Sequence, residues 1–279
     1  MVYLLRRRKL GKTSCEAIAH FSKSNMKVIR NDGKLPTDDS LCIRWGCTST
    51  VPQKSVINSA KAIHIVGDKT GFRRILEEHD LCPPTWFTRD AFAKSLTSNV
   101  WPVIIRPQFH HQGRHLYAAN SLVEVDAALG RCGEHPYISK FIPKVAEYRV
   151  FCGQGRAICV ARKTPGNPND LAWNVAKGGR FDNVRWDDWP LKAVKISLEA
   201  FALSGLDFGG VDIMVDGQGE CYVLEINAAP SLTSEYRQKC FARVFDYMVT
   251  NGKETIPLVK EKGGYSKFIH PAIAENARM

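Results

Sequence analysis

The sequence predicts a protein of the α+β class that begins with a short α/β unit. Two strand-like segments, 209–215 and 220–227, flank a Gly-containing turn, and this arrangement predicts a β-hairpin. A second pair of strand-like segments, 147–152 and 156–163, flanks the turn Gly153-Gln154-Gly155. These two strand pairs are the predicted centre of the main domain.

The first 65 or so residues form the predicted α/β unit. A helix is expected at 14–22, with Thr13 or Ser14 as its N-cap. The strands of this unit are expected at 2–5, 28–29, 41–46 and 63–66.

The remaining elements follow along the chain. Asp68 is expected to cap a helix that runs to about His79. A helix at 190–203 is expected to stop at Gly205, because glycine readily takes the left-handed conformation that ends helices. The other predicted strands are 101–107, 115–118 and 137–142, and the other predicted helices are 121–129 and 233–249.

Composition narrows the class of protein. The 279 residues are 44% apolar and 24% charged, which is typical of a globular protein with a real core. No apolar segment approaches the roughly 20 residues that span a membrane. The basic residues 6–9 follow too short an apolar segment for a signal peptide, so we expect a cytoplasmic protein with no membrane partner. Nine cysteines without a CxxC spacing are expected to be buried thiols.

The net charge of +11 leaves the partner open. Such a field can attract ATP, a carboxylate-rich substrate or nucleic acid. The basic residues are dispersed along the chain apart from 6–9, so nucleic acid is the less expected partner.

The hairpin at 209–227 gathers polar side chains on one face. The expected register places Asp212 opposite Val223, and side-chain alternation then puts Asp212, Glu225 and Asn227 together. Asp212 and Glu225 would be diagonal neighbours roughly 7–8 Å apart, a gap that suits a divalent metal bound by oxygen atoms. An ordinary hairpin with one solvated face explains the same residues. The other face carries the residues expected in the core: Val211, Ile213, Val215, Tyr222, Leu224 and Ile226.

An Asp on one strand, followed by Glu225-Ile226-Asn227-Ala228-Ala229-Pro230 on the next, resembles the metal-binding signature of the ATP-grasp superfamily. The likeness runs from about Asp68 to Tyr236 and is closest to RimK-like carboxylate–amine ligases. It implies an ATP-grasp fold, in which two α+β subdomains grip ATP. It also implies Mg²⁺, or Mn²⁺, on Asp212, Glu225 and Asn227.

The resemblance also implies a division of the chain and a nucleotide site. The implied domains are a short N-terminal domain at 1–66, the ATP-grasp domain at 67–250 with its lid at about 84–138, and a peripheral tail at 251–279. The loop at 108–114 would cover the phosphates. The implied nucleotide-binding residues are Lys69, Arg106, Lys140, Phe141, Ile142, Glu147 and Lys163.

Within that set, the resemblance gives Lys69 and Arg106 to the phosphates, the backbone of 140–142 to the adenine, and Glu147 to the ribose. The implied catalytic residues are Arg149, Arg162 and Asn174. The chain departs from the family at Arg106, where Lys is usual, at Lys140, where Glu is frequent, and at Ala172, where Arg is frequent.

The implied reaction joins a carboxylate to an amine through an acyl phosphate, and it releases ADP and phosphate. The substrates could be amino acids, peptides or protein groups. Two alternatives remain open at this point: an ATP-grasp kinase acting on a hydroxyl, and a module that binds nucleic acid or protein with a decayed nucleotide site.

Overall fold

The computed structural model describes residues 1–34, 37–97, 99–108, 115–167, 170–171, 173 and 178–257. Its first unit is a parallel sheet with the strand order β2-β1-β3-β4. The helix α1 (Lys12–Phe21) connects β1 to β2. The strands are β1 (Val2–Arg6), β2 (Met26–Arg30), β3 (Leu41–Trp45) and β4 (Val56–Ile57).

Two expectations for this region are wrong. Residues 63–66 lie in the helix α2 (Ala60–Gly67) rather than in a strand. The hydroxyl of Ser59 accepts a hydrogen bond from the Ala62 N–H and caps this helix, and Ile63 and Val66 then share its buried side. Gly11, in the left-handed conformation, takes the N-cap of α1 that was expected at Thr13 or Ser14.

The second unit is an antiparallel sheet with the order β5-β8-β6-β7, and it occupies the region predicted as the lid. The helix α3 (Lys69–Glu78) leads into it and is capped by Asp68, as predicted. Its strands are β5 (Thr85–Trp86), β6 (Val103–Arg106), β7 (Tyr117–Ala119) and β8 (Tyr137–Lys140). Its helices are α4 (Arg89–Lys94) and α5 (Leu122–Cys132).

The third unit is an antiparallel sheet with the order β11-β10-β9-β12-β13. Both predicted hairpins belong to it, and β11 was not predicted. The helix α6 (Leu191–Ser204) ends at Gly205, as predicted, and α7 (Glu235–Asn251) follows the second hairpin. The strands are β9 (Lys144–Gly153), β10 (Arg156–Thr164), β11 (Arg180–Asn183), β12 (Phe208–Asp216) and β13 (Cys221–Asn227).

The five-stranded sheet is buried on both faces. One face packs against α2, α3 and α6, around apolar residues such as Val150, Val160 and Val211. On the other face, Phe151 and Phe208 pack with α7 and with residues of the N-terminal sheet. The predicted boundary at residue 66 stays a prediction, although α2 shares the core of the large sheet. No described helix is both long and apolar enough to cross a membrane.

Candidate active site

A β-bulge brings the two predicted metal ligands face to face. Ile213 pairs with Val223, but the next pair is Asp212 with Glu225, so Leu224 is an extra residue on β13. The expected register, with Asp212 opposite Val223, is therefore wrong. The Asp216 carboxylate accepts hydrogen bonds from the N–H groups of the turn, and this longer turn shifts the pairing by one residue.

The shifted pairing also changes the predicted core face of β13 between the turn and the bulge. Before the bulge, Cys221 and Val223 are buried, and Tyr222 and Leu224 are only half-buried. After the bulge the predicted faces are restored, because one extra residue reverses the alternation. Ile226 then joins the core, and Glu225 stays on the same face as Asp212.

Arg73 on α3 supports the bulge. Its guanidinium donates to the carbonyl of Val223 at 3.2 Å and to the carbonyl of Leu224 at 2.7 Å. Arg73 is only 4% exposed, and its guanidinium lies 5.4 Å from the ring centroid of Tyr137 on β8. Arg73 was not predicted, because a basic residue on an amphipathic helix has no pattern that indicates an edge-strand partner.

Asp212 is held by two cations from neighbouring strands. Arg149 on β9 donates to both of its carboxylate oxygens, at 2.5 and 2.7 Å, and Lys163 Nζ on β10 lies 3.7 Å from Oδ2. Asp212 is only 3% exposed. Burial alone would lower the pKa of Arg149 and of Lys163, but the neighbouring carboxylates, Asp212 foremost, together outweigh it and raise the pKa of both. The ring of Phe181 on β11 packs against these charged side chains, with its centroid 4.6 Å from the Arg149 guanidinium.

Glu147 is a second buried carboxylate with two cationic partners. It is 2% exposed and forms ion pairs with Lys163 and with Lys144 at the start of β9. Burial outweighs Glu147 and lowers the pKa of Lys144, and nearby Lys163 and Arg106 lower it further. Lys144 was not predicted, because it directly follows Pro143 at a strand end and belongs to no motif. The predicted contact between Glu147 and ribose stays a prediction.

Glu225 is held from the other side of the site. Lys69, the first residue of α3, lies 3.2 Å from its Oε2 atom, and the Asn227 amide donates to Oε1 at 3.0 Å. The Glu225 side chain is 28% exposed, so it is far more open than Asp212. The structure therefore gathers Lys69, Asp212, Glu225 and Asn227 as the sequence predicted.

Arg106 and the predicted adenine segment at 140–142 lie in other parts of the structure. Arg106 ends β6 half-buried, and its Nε–H has no hydrogen-bond acceptor among the described residues. In the predicted adenine segment, the backbone N–H groups of Lys140 and Phe141 donate to carbonyls of Pro84 and Pro102. Among the described residues, no backbone hydrogen bond from the Ile142 N–H is found.

Arg162 does not join the cluster. It precedes Lys163 on the same strand and so points to the opposite face of the sheet, where it is exposed and lies in register with Asp182. The geometry therefore offers no role for Arg162 beside Asp212. Asn174 lies outside the described residues, as do Ala172 and the loop residues 109–114.

The charges of the cluster do not balance. Three carboxylates, Glu147, Asp212 and Glu225, face five cations, which are Lys69, Arg106, Lys144, Arg149 and Lys163. A surplus of positive charge in a partly buried site favours a polyanion such as a nucleotide triphosphate.

The donor atoms suit Mg²⁺. Two opposed carboxylates and an amide oxygen are hard ligands, which this ion prefers. The described residues contain no group of three or more His, Cys, Asp or Glu side chains that could hold a metal. A metal here would therefore take its remaining ligands from phosphate or water, as Mg²⁺ usually does.

Comparison with solved structures identifies the fold as ATP-grasp. The ATP-grasp ligase PsnB, in complex with a minimal precursor, aligns with a TM-score of 0.65 at 12% identity and covers 90% of this chain and 99% of its own. D-alanine–D-alanine ligase from Bacillus anthracis aligns with a TM-score of 0.64 at 14% identity, covering 90% and 96%. D-cycloserine synthetase DcsG gives 0.64 at 16% identity, covering 89% and 100%.

The family follows from the sequence itself. The model of the RimK-like ATP-grasp domain matches residues 89–241, which is more than half of the chain. The chain belongs to the RimK-like ATP-grasp family and is an enzyme of the ATP-dependent ligase class, as predicted. A comparison with curated proteins finds no significant match.

Proposed function

We propose that this enzyme joins a carboxylate to an amine through an acyl-phosphate intermediate and releases ADP and phosphate. The observation that carries the proposal is the polar cluster on one face of the five-stranded sheet. It combines opposed carboxylates with a surplus of buried cations. Phosphoryl transfer depends mostly on positioning and on neutralisation of charge, and this cluster is built from groups that do both.

Asp212, Glu225 and Asn227 are the proposed Mg²⁺ ligands. The bound ion would neutralise charge on the nucleotide phosphates and fix their orientation. Arg149 keeps the Asp212 carboxylate in one orientation through its two hydrogen bonds, and Lys69 does the same for Glu225. A similar structure, that of PsnB, contains Mg and ADP, which supports this assignment.

The remaining cations are proposed to bind phosphate and substrate. Arg106 and Lys163 approach the site from different sheets, so a phosphate chain between them would be contacted from both subdomains. Their charges stabilise the negative charge that develops as the carboxylate oxygen attacks the γ-phosphate. The amine then forms the C–N bond and phosphate leaves. The backbone N–H of Ile142 is proposed to bind the adenine.

The cellular setting is proposed to be the cytoplasm, where ATP and Mg²⁺ are abundant. All nine cysteines are buried, and none forms a disulfide. Structural disulfides are rare in that reducing compartment.

The test is ATP turnover with Mg²⁺ in the presence of pooled amino acids and small carboxylates, with ADP and free phosphate measured separately. A ligase releases both products only when carboxylate and amine are present together. Asp212→Asn is the matched inactive control. Formation of ADP without free phosphate would indicate transfer to a hydroxyl and would contradict the proposal.

A further inference from the structure

The edge strand β11 brings one side chain to the ionic cluster. Phe181 is half-buried, whereas the other three residues of this strand are exposed. The centroid of its ring lies 4.6 Å from the Arg149 guanidinium and 5.4 Å from Lys163 Nζ. These are the two cations that hold Asp212, so β11 covers the side chains that orient a proposed metal ligand.

The contact with Phe181 strengthens the ion pair behind it. The face of an aromatic ring attracts a cation and excludes water from that side. Ion pairs are stronger where water is excluded, because the local dielectric constant is lower. The Arg149 and Asp212 side chains are only 11% and 5% exposed. Phe181 therefore helps to keep the Asp212 carboxylate in one orientation.

The backbone of β11 leaves a carbonyl without a strand partner at this point. The Val184 N–H donates to the Val160 carbonyl at 2.9 Å. Hydrogen-bonded and non-hydrogen-bonded pairs alternate along an antiparallel ladder, so the pair of Phe181 with Lys163 is not hydrogen-bonded. The Phe181 carbonyl then points away from β10, toward the side of β11 where the described residues contain no further strand.

Arg237 on α7 supplies the missing partner. Its guanidinium donates to the Phe181 carbonyl at 3.2 Å. The same group donates to Ser234 Oγ at 2.7 Å and to Thr233 Oγ1 at 3.1 Å, which fixes it to the start of α7. Ser234 Oγ in turn donates to Asn183 Oδ1 at 3.2 Å. Two contacts therefore connect β11 to this helix.

Arg237 is an expensive residue to bury. It is 2% exposed, its hydrogen-bond acceptors are uncharged, and one of its terminal nitrogens has no acceptor in the described part of the chain. Burial lowers the pKa of Arg237, and the charge of Arg149 lowers it further. Apolar residues often stabilise a fold as well as buried charged groups do, or better. Stability alone therefore does not account for an arginine here.

We propose that Arg237 is a positioning residue of the active site, which fixes β11 so that the Phe181 ring stays against the Arg149–Asp212 pair. The inference rests on the proposed function, because it requires that Asp212 binds the metal. Arg237 itself does not contact the metal or a substrate. Its effect on the metal passes through Phe181.

The test measures metal binding without turnover. Mn²⁺ is titrated into the enzyme in the presence of ADP, and the free Mn²⁺ is followed by electron paramagnetic resonance. The proteins are the wild type, Arg237→Met, Phe181→Ala, the variant with both changes, and Lys239→Met. Lys239 is the matched control, since it is a cation on the same helix that pairs with the exposed Glu235. Urea unfolding checks that each variant is folded.

We expect the Kd for Mn²⁺ to rise about tenfold in Phe181→Ala and in Arg237→Met, as the loss of groups that support metal ligands predicts. The variant with both changes should lie within about twofold of Phe181→Ala, because the two substitutions remove the same contact. Lys239→Met should stay within about twofold of wild type. Arg237→Lys keeps the charge without the planar fork, so it should restore part of the affinity.

Wild-type affinity in either single variant would overturn the inference. Multiplication of the two losses to about a hundredfold would also overturn it, because Arg237 would then act independently of Phe181. If Arg237→Met did not fold, Arg237→Gln would replace it, and failure of both to fold would make Arg237 purely structural.

The same titration separates this inference from the proposed reaction. A wild type that binds no Mn²⁺ with ADP would overturn the metal assignment and the role of Arg237 together. If the wild type bound Mn²⁺ but showed no amine-dependent turnover, only the proposed reaction would fail, and the Kd values would still decide the role of Arg237.

Discussion

The two faces of the five-stranded sheet are built from the same strands but differ in character. On the face toward α6, β9 contributes Tyr148 and Val150 to an apolar core. On the other face the same strand contributes Glu147 and Arg149, which join the buried ionic cluster. Because side chains alternate along the strand, each residue of the ionic cluster is followed by a residue of the apolar core. Shifting a residue by one position along a strand would move it from one role to the other.

The largest expected effect is at Asp212, the centre of the ionic face. Asp212→Asn should lower ATP turnover by more than about a hundredfold, because it removes a proposed metal ligand. It should also lower the free energy of unfolding by about 3 kcal/mol, because a buried Arg149 loses its carboxylate partner. Steady-state kinetics and urea unfolding check the two parts. Turnover near that of the wild type would contradict the metal assignment.

Glu225→Gln compares a partly exposed carboxylate with the buried carboxylate of Asp212. Turnover should fall as far as in Asp212→Asn, since the same metal loses a ligand. The free energy of unfolding should change by less than about 1 kcal/mol, because Glu225 is partly open to water and its ion pair with Lys69 is screened. If urea titration gave the same loss of stability for both variants, the difference in burial between Asp212 and Glu225 would not explain their contributions to stability.

Lys163 and Arg162 are adjacent cations on opposite faces of the five-stranded sheet, so their variants compare the two faces. Lys163→Met should lower turnover at least about tenfold, because it removes a charge that contacts Glu147 and Asp212. Arg162→Met is the matched control on the opposite face and should stay within about threefold of wild type. The comparison between the faces would fail if Arg162→Met were as damaging as Lys163→Met.

The smallest expected effect is at Arg73, which reaches the bulge from α3. Arg73→Met should raise the Mg²⁺ concentration for half-maximal turnover about threefold to thirtyfold, because the carbonyls of Val223 and Leu224 lose their donors and Glu225 is held less firmly. Turnover at saturating Mg²⁺ should remain close to wild type, and Arg73→Lys should restore part of the affinity. An unchanged Mg²⁺ requirement would limit Arg73 to a purely structural role.

Local patterns predicted much of this architecture. The hairpins, the Asp68 cap of α3 and the end of α6 at Gly205 depend on neighbouring residues, so the sequence alone indicates them. The family was equally accessible, because its metal-binding signature is a contiguous segment on one hairpin.

Longer-range features were not predictable in the same way. The bulge at Leu224 is contacted by Arg73, which is distant in sequence and follows no local pattern. Residues 63–66 were predicted as a strand because β-branched residues favour strands. They form part of a helix, which the Ser59 cap and burial against the large sheet stabilise. Arg162 was expected in the site beside Lys163, but consecutive residues of a strand point to opposite faces of the sheet.

The aromatic cluster that links the two ends of the described chain bears on how the protein can be made. Trp45 stacks on Phe208 at 5.4 Å between ring centroids and also meets Phe241 and Phe245 on α7. During synthesis, the ribosome releases Trp45 roughly two hundred residues before these last partners emerge. The first sheet therefore has no complete core while the chain is being translated, and its burial coincides with the arrival of α7. A nascent chain stalled before Phe241 should expose its N-terminal residues to protease or chaperone.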